Sequence, residues 1–287
     1  MQALILKKKW SNMLKGRIIS NISNLYQVEL ENRIVECVPR GKMKQGEISP
    51  VVGDYVEIEE LENENNKGVI CNILERSMYS KRPKIANLTQ IMLVVSLKSP
   101  KPDLLLLDKQ LAYAEYLNIK PVICINKIDL GKEQEIEEIH EIYEEIGYTV
   151  IDTNAKEKIG INKLKDLLSN EITAFSGNSG VGKSTLINSL VGENTTQEGL
   201  ISVKNQRGKN TTTSVTLYKV EDGYIADTPG FSTFSVEEIE SRDLSKYFIE
   251  FKEYLNDCEY MDCEHEKEEN CGIKKAIQNG KVNIRKI

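Results

Sequence analysis

Eight consecutive residues, Gly177-Asn178-Ser179-Gly180-Val181-Gly182-Lys183-Ser184, constrain this chain more than any other feature. They follow the apolar run Ile172 to Ser176 and precede a helical pattern, which is the setting a phosphate-binding loop requires. Glycines let the backbone turn so that successive N–H groups face phosphate oxygens, and the helix that begins near Lys183 adds its positive end. On this reading Gly177, Asn178, Ser179, Gly180, Val181, Gly182 and Thr185 line a nucleotide, Lys183 reaches the β and γ phosphates, and the Ser184 hydroxyl binds Mg²⁺. A loop of this kind belongs to a parallel, doubly wound α/β sheet.

Three further segments complete the constellation. Asp227-Thr228-Pro229-Gly230 follows a strand; Asp227 suits Mg²⁺ and the Gly230 amide suits the γ-phosphate. Asn126-Lys127-Ile128-Asp129 ends another strand, and the Asp129 carboxylate can accept from both the ring N–H and the exocyclic amine of guanine. Adenine offers no such pair of donors and would leave the acid unpaired, so the expected nucleotide is GTP. Thr153-Asn154-Ala155-Lys156 ends the next strand, and its backbone, with Asn154 and Ala155, is expected at the guanine oxygen. The base-reading segments precede the phosphate loop, the reverse of the usual GTPase order. The domain is therefore read as circularly permuted. The chain then leaves it directly after Asp227 to Gly230, so a γ-phosphate-dependent movement there would pull on the C-terminal segment.

A chain of 287 residues fits two or three domains. Residues 14–75 read as five short strands (16–20, 25–30, 33–38, 56–59 and 67–73), a small barrel of the oligonucleotide-binding (OB) type or an SH3-like barrel. Arg76 to Pro83 reads as an exposed linker. From Ile91 strands (91–97, 122–126, 148–153, 172–176) alternate with three helices, one of them Glu133 to Ile146, whose Ile136, Ile139, Tyr143 and Ile146 share a stripe. Two more strands, 215–220 and 224–227, follow, and beyond Phe234 the chain is acidic and expected to be helical. The expected division is a barrel over 1–75, the permuted GTPase over 76–235 and a zinc-binding segment over 236–287.

Cys258, Cys263, His265 and Cys271 supply three thiolates and one imidazole, a tetrahedral set for one structural Zn²⁺. Without metal that segment carries too little apolar content to order itself. The net charge of −6 gives no general attraction to nucleic acid. Between Lys7 and Lys44, however, nine basic residues face three acidic ones, and Lys7 to Lys9, Arg40, Lys42 and Lys44 are candidate phosphate contacts. Trp10, Tyr26 and Tyr55 are candidates for stacking or for packing, and RNA contact and plain solvated surface both stay open. No apolar stretch reaches the roughly 18–20 residues that span a bilayer, and Lys7 to Lys9 follow the first apolar residues, the reverse of a secretion signal. The expected compartment is the cytoplasm.

A permuted GTPase between a barrel and a Cys/His segment resembles the ribosome small-subunit-dependent GTPase A (RsgA) family. The likeness covers essentially the whole chain, including Val52-Gly53-Asp54, Arg82-Pro83, Ala86-Asn87, Arg207-Gly208-Lys209-Asn210-Thr211-Thr212-Thr213 and the Cys/His set. It implies GTP hydrolysis coupled to late maturation of the small ribosomal subunit, rRNA contact and a bound zinc. Two departures stand out: Asn210 occupies a place where family members usually carry His, and the chain stops at Ile287, where they usually continue into a further helix, so truncation is an expectation. Thr212, among Thr211 to Thr213, is the expected switch-I Mg²⁺ ligand. Phe231 stands where many GTPases have the glutamine that orients water, and His140 and His265 lie elsewhere, so unassisted turnover is expected at about 10⁻⁴ to 10⁻² per second. The alternatives weighed are an RNA-binding module stabilised by nucleotide and a GTPase of large-subunit assembly. A monomer is expected.

Overall fold

The computed structural model describes residues 13–41, 49–61, 64–191, 215–228 and 236–283. Its first part is made of β1 (Leu14–Ile22), β2 (Leu25–Glu29), β3 (Ile34–Pro39), β4 (Tyr55–Glu60) and β5 (Lys67–Ile73). Alternation of apolar and polar residues builds it: along β3, Val35 and Cys37 point inward while Ile34, Glu36 and Val38 point out. Ile18, Val28, Val35, Val56, Ile58 and Ile70 meet inside with no exposed surface. Burying each such side chain stabilises the fold by roughly 1.5–3 kcal/mol. The strands run in the order β1-β2-β3-β5-β4, β4 returns to pair with β1, and β3 and β5 are parallel. That closure decides between the two barrel readings: it is a five-stranded OB-type barrel.

The segment expected as an exposed linker is instead a built joint. Tyr79–Lys81 (β6) pairs with Lys84–Ala86 (β7), and Met78 and Ser80 are buried. Arg76 makes a forked ion pair with the fully buried Asp54, Nε to Oδ1 at 2.6 Å and one terminal nitrogen to Oδ2 at 2.8 Å. An arginine paired in this way is withdrawn from solvent.

Beyond β7 lies a sheet of β8 (Gln90–Ser96), β9 (Lys120–Asn126), β10 (Thr149–Thr153), β11 (Ile172–Ser176), β12 (Thr216–Val220) and β13 (Gly223–Asp227). The helices between are α1 (Leu104–Tyr116), α2 (Glu133–Glu144), α3 (Ile161–Leu168) and α4 (Lys183–Val191). Strand order is β10-β9-β8-β11-β13-β12, parallel throughout except for β12 against β13. Both faces are covered, so β8 and β11 are buried at every position. Ile91, Leu93 and Val95 of β8 serve the core on one face, Met92 and Val94 that on the other. The α2 stripe buries Ile139 and Tyr143 as its periodicity predicts.

The C-terminal part is helical, as expected, but in short pieces. It is a string of 3-10 turns (Val236–Glu238, Ser241–Tyr247, Ile249–Phe251 and Leu255–Asp257) before a single short helix, α5 (Gly272–Gln278). Its acidic stretches lack a continuous apolar stripe for docking a long helix. Phe251, Cys271, Ile273, Ala276 and Val282 form its small core.

Candidate functional site

In an open parallel sheet, ligands bind beyond the carboxyl ends of the strands where the winding reverses. Here the chain builds β8, β9 and β10 in one direction, then crosses back to lay β11 on the other side of β8. The reversal lies between β8 and β11. At that edge β9 ends in Asn126, β10 in Thr153, β11 in Ser176 and β13 in Asp227. The topology thus delivers four segments that are distant and out of order in sequence to one crevice.

Side chains tie them together. Asn126 Nδ2 donates to the Val181 carbonyl at 2.9 Å, while its Oδ1 accepts from the Ala155 amide at 3.3 Å and from Thr153 Oγ1 at 3.1 Å. One amide therefore clamps the phosphate loop to the third segment. Lys127 takes a left-handed backbone (φ 60°) and sends Nζ to the carbonyls of Gly180 at 2.6 Å and Ser99 at 2.9 Å. Asn154 Nδ2 donates to Asp129 Oδ1 at 2.9 Å, and Asn154 Oδ1 is held by the amides of Lys156 and Glu157. Asp129 is aimed by a partner that holds its carboxylate as an acceptor. Asn154 and Ala155 are buried.

Within the loop, Lys183 Nζ donates to the carbonyls of Gly177 at 2.7 Å and Asn178 at 2.9 Å, and burial lowers its pKa from the ordinary lysine value. Ser179, Gly180, Ser184 and Thr185 face solvent around the loop, and Val181 is buried beneath it. Gly182 is where the loop meets Asn126: with φ 101°, a Cβ there would sit 2.3 Å from Asn126 Nδ2. Gly177, with φ 137°, passes the Val94 carbonyl so closely that a Cβ would lie 2.2 Å from it. Only glycine fits either place. Behind the loop, Gln110 of α1 donates to Ser176 Oγ at 2.9 Å, a buried support that no motif signals. Ser99 was equally invisible in the sequence, since its part is played by a backbone carbonyl.

Asp227 leaves β13 at the same edge, because Ala226 pairs in register with Ala174 of the phosphate-loop strand. Thr212 and Gly230, with Asn210, Thr211, Thr213 and Phe231, lie outside the described residues. Neither histidine of the chain is placed as a base for the reaction. His140 bridges Asp152 and Glu144 at 3.0 Å each, and His265 sits in the sulfur cluster.

That cluster brings one donor atom each from Cys258, Cys263, His265 and Cys271 within 4.8 Å of one another. A tetrahedral zinc site with bonds of about 2.3 Å needs donors about 3.8 Å apart, so a small contraction fits the ion. His265 Nδ1 lies 3.7 Å from Cys258 Sγ and 3.3 Å from Cys271 Sγ, while its Nε2 is buried without a partner among the described residues. Backbone amides of Gly272 and Lys274 already point at the sulfurs of Cys258 and Cys271. The residues fit a closed Cys₃His metal site. Burial lowers the His265 pKa, which favours the neutral ring a metal requires.

On the barrel, the basic candidates are partly committed. Arg40 pairs with Glu59 at 3.1 Å and Arg33 with Glu60 at 2.7 Å. Tyr26 is a packing residue in the core, whereas Tyr55 is exposed and carries Arg17 on its ring. Lys7 to Lys9, Trp10, Lys42 and Lys44 lie outside the described residues. Among the described residues no helix is long and apolar enough to cross a membrane.

Comparison with known proteins agrees with this layout. A family model described as RsgA GTPase matches residues 71–237, and one described as RsgA N-terminal domain matches residues 15–70. The chain is 41% identical to a small ribosomal subunit biogenesis GTPase RsgA of Alkaliphilus metalliredigens, over 94% of this chain and 93% of that protein. To the protein of the same description from Clostridium acetobutylicum it is 45% identical, again over 94% and 93%. Among solved structures, YjeQ from Thermotoga maritima superimposes with a TM-score of 0.83 at 35% identity, covering 96% of this chain and 94% of that one. YloQ, described as a circularly permuted GTPase, gives a TM-score of 0.79 at 31% identity, with 96% and 92% covered.

Proposed function

The chain belongs to the RsgA GTPase family and is a GTP hydrolase; on that premise we propose that it acts in late maturation of the small ribosomal subunit, which stimulates its turnover. The observation that carries this is the Asn126 clamp. It ties the phosphate loop to the Ala155 segment, whose Asn154 in turn holds Asp129, and this supports reading the loop and Asp129 as parts of one nucleotide site.

In the proposed cycle Asp129 accepts the two guanine donors, with Asn126, Lys127, Asn154 and Ala155 holding the wall of the base site. Lys127 steadies the loop crest through Gly180. The backbone N–H groups from Asn178 to Thr185 receive the phosphates, and Lys183 exchanges the carbonyls of Gly177 and Asn178 for β and γ oxygens. The lowered pKa of Lys183 reflects the dry surroundings that strengthen its attraction to phosphate. Mg²⁺, when bound with nucleotide, neutralises charge on the β and γ oxygens. Ser184 and Asp227 are proposed as its protein ligands, joined by Thr212, and Gly230 is proposed to meet the γ-phosphate.

No glutamine follows Gly230 and no histidine serves as base, so water is left poorly oriented in the free protein. Docking on the subunit would supply what is missing. The Cys₃His cluster is proposed to hold one structural Zn²⁺, the barrel to contact rRNA through its basic side, and the whole to act as a cytoplasmic monomer. The division at residues 1–75, 76–235 and 236–287 is proposed as functional, with the β6–β7 joint belonging to the second unit.

Single-turnover GTP hydrolysis with and without small or large ribosomal subunits tests this. Turnover near about 10⁻⁴ to 10⁻² per second alone, raised by small subunits only, is expected. Fast hydrolysis by the protein alone, or stimulation by large subunits instead, would overturn it.

A further inference from the structure

Among the described residues, the barrel meets the rest of the molecule at two joints of opposite character. The first is rigid. Gly53 is threaded between β1 and β7: its amide donates to the Ile18 carbonyl at 2.8 Å and its carbonyl accepts from Asn87 Nδ2 at 3.0 Å. Ala86 donates to Val52 at 3.0 Å, the Arg76–Asp54 pair locks the corner, and a Cβ on Gly53 would meet the Ala86 carbonyl at 2.0 Å. This joint leads straight into β8, the middle of the nucleotide-binding sheet.

The second joint is slight and lies on β12 and β13. Among the described residues one registered pair, Ser20 with Thr216, links β1 to β12. Beside it the Arg17 guanidinium lies between two rings, 4.6 Å from the centre of Tyr55 of the barrel and 4.6 Å from that of Tyr224 of β13. The Tyr224 hydroxyl donates to the Glu29 carboxylate of β2. Such contacts slide at small cost, whereas the first joint does not. Thr216 pairs on its other side with Asp227. Asp227, Thr216 and Ser20 thus form one row across three strands, running from the proposed Mg²⁺ acid into the barrel wall.

We infer that this row, with the Arg17 stack beside it, couples the nucleotide site to the barrel. The inference rests on the nucleotide reading above. A change in what Asp227 binds shifts the end of β13, β12 moves with it through their ladder, and the barrel pivots about the rigid Gly53 corner. Because coupling is reciprocal, occupation of the barrel by its partner shifts the preference between GDP and GTP by the same factor. The barrel is then a sensor whose state reaches the phosphates without passing through the C-terminal segment.

Hydrogen exchange of the full chain, with Mg²⁺ and either GDP or a β,γ-imido GTP analogue, tests this. The expected result is a difference of about fivefold or more in exchange of the β1 and β12 amides between the two nucleotides. In the double variant Arg17→Ala, Tyr224→Ala that difference is expected to fall below about twofold while GDP affinity is kept. Should the double variant fold poorly, Tyr224→Phe, which removes only the hydroxyl bond to Glu29, is expected to reduce the difference in part. Binding of both nucleotides with identical β1 exchange would overturn the coupling alone. A full difference persisting in every folded variant would overturn the path. Failure to bind either nucleotide would overturn both this inference and the nucleotide reading beneath it.

Discussion

The proposed nucleotide crevice and the Cys258–Cys271 cluster both gather candidate functional side chains at one point, but they draw on different resources. The crevice is positioned by a sheet whose strands β8 and β11 are buried along their whole length, and its side chains hold one another through Asn126, Lys127 and Asn154. The cluster stands on a core of Phe251, Cys271, Ile273, Ala276 and Val282 among 3-10 turns, one of those residues being itself a candidate ligand. A site built by a large core keeps its shape whatever it binds. A site built by its own ligands needs the metal to exist.

The largest effect that could break this contrast is metal removal. Chelation, or Cys271→Ser, is expected to abolish an apparent metal-binding contribution of about 10–16 kcal/mol and to disorder residues 236–283. GDP binding by the sheet should persist. Zinc content near one per chain and proteolysis confined to the C-terminal part after chelation would support the contrast; loss of GDP binding together with the metal would break it.

Lys183→Ala is the complementary change. It is expected to lower single-turnover hydrolysis by about 10²–10³-fold, the usual consequence of losing one preorganised donor, while thermal unfolding and zinc content stay near those of the parent. A large drop in melting temperature would mean that the loop itself holds the fold together.

A smaller effect sharpens the picture at the sheet's edge. Burial opposes charge on His140, but its hydrogen bonds with Asp152 and Glu144, and the charges of those two groups, outweigh it and raise the pKa above the ordinary histidine value. The stability this contributes is fully present below the unfolded pKa of about 6.5 and is lost as pH rises through the raised folded value. The partly exposed setting limits it to about 1 kcal/mol or less. His140→Gln should therefore lower the melting temperature at about pH 5.5 and have little effect at about pH 8.5. An equal loss at both would show that packing, not charge, is what His140 supplies.

How much of this was legible in the sequence follows from the range of each interaction. The phosphate loop, the Asn126 to Asp129 segment and the cysteine spacing carry their pattern within a few residues, so residue type and spacing are enough to propose them. The joint over residues 76–86 did not announce itself. Its strands have three residues each, and its anchor, Asp54, is 22 positions from Arg76. Tyr55 read as a candidate for stacking or packing, and nothing near it in sequence reveals Arg17 on its ring. The 3-10 character of the C-terminal part was hidden for another reason: acidic composition suggests a solvated helix, but helices are held by a docked stripe that this segment lacks.

The central claim is that segments in reversed order make a single guanine pocket, and a competition titration of GDP, ADP and xanthosine diphosphate against the parent and Asp129→Asn tests it most directly. The account predicts that the parent prefers GDP over ADP by about 10⁴-fold, as expected of a site built to pair with specific donors. Asp129→Asn should turn from guanine to xanthine, because an amide can donate to the oxygen that replaces the exocyclic amine. Equal affinity for GDP and ADP in the parent, or a variant with unchanged base preference, would contradict it.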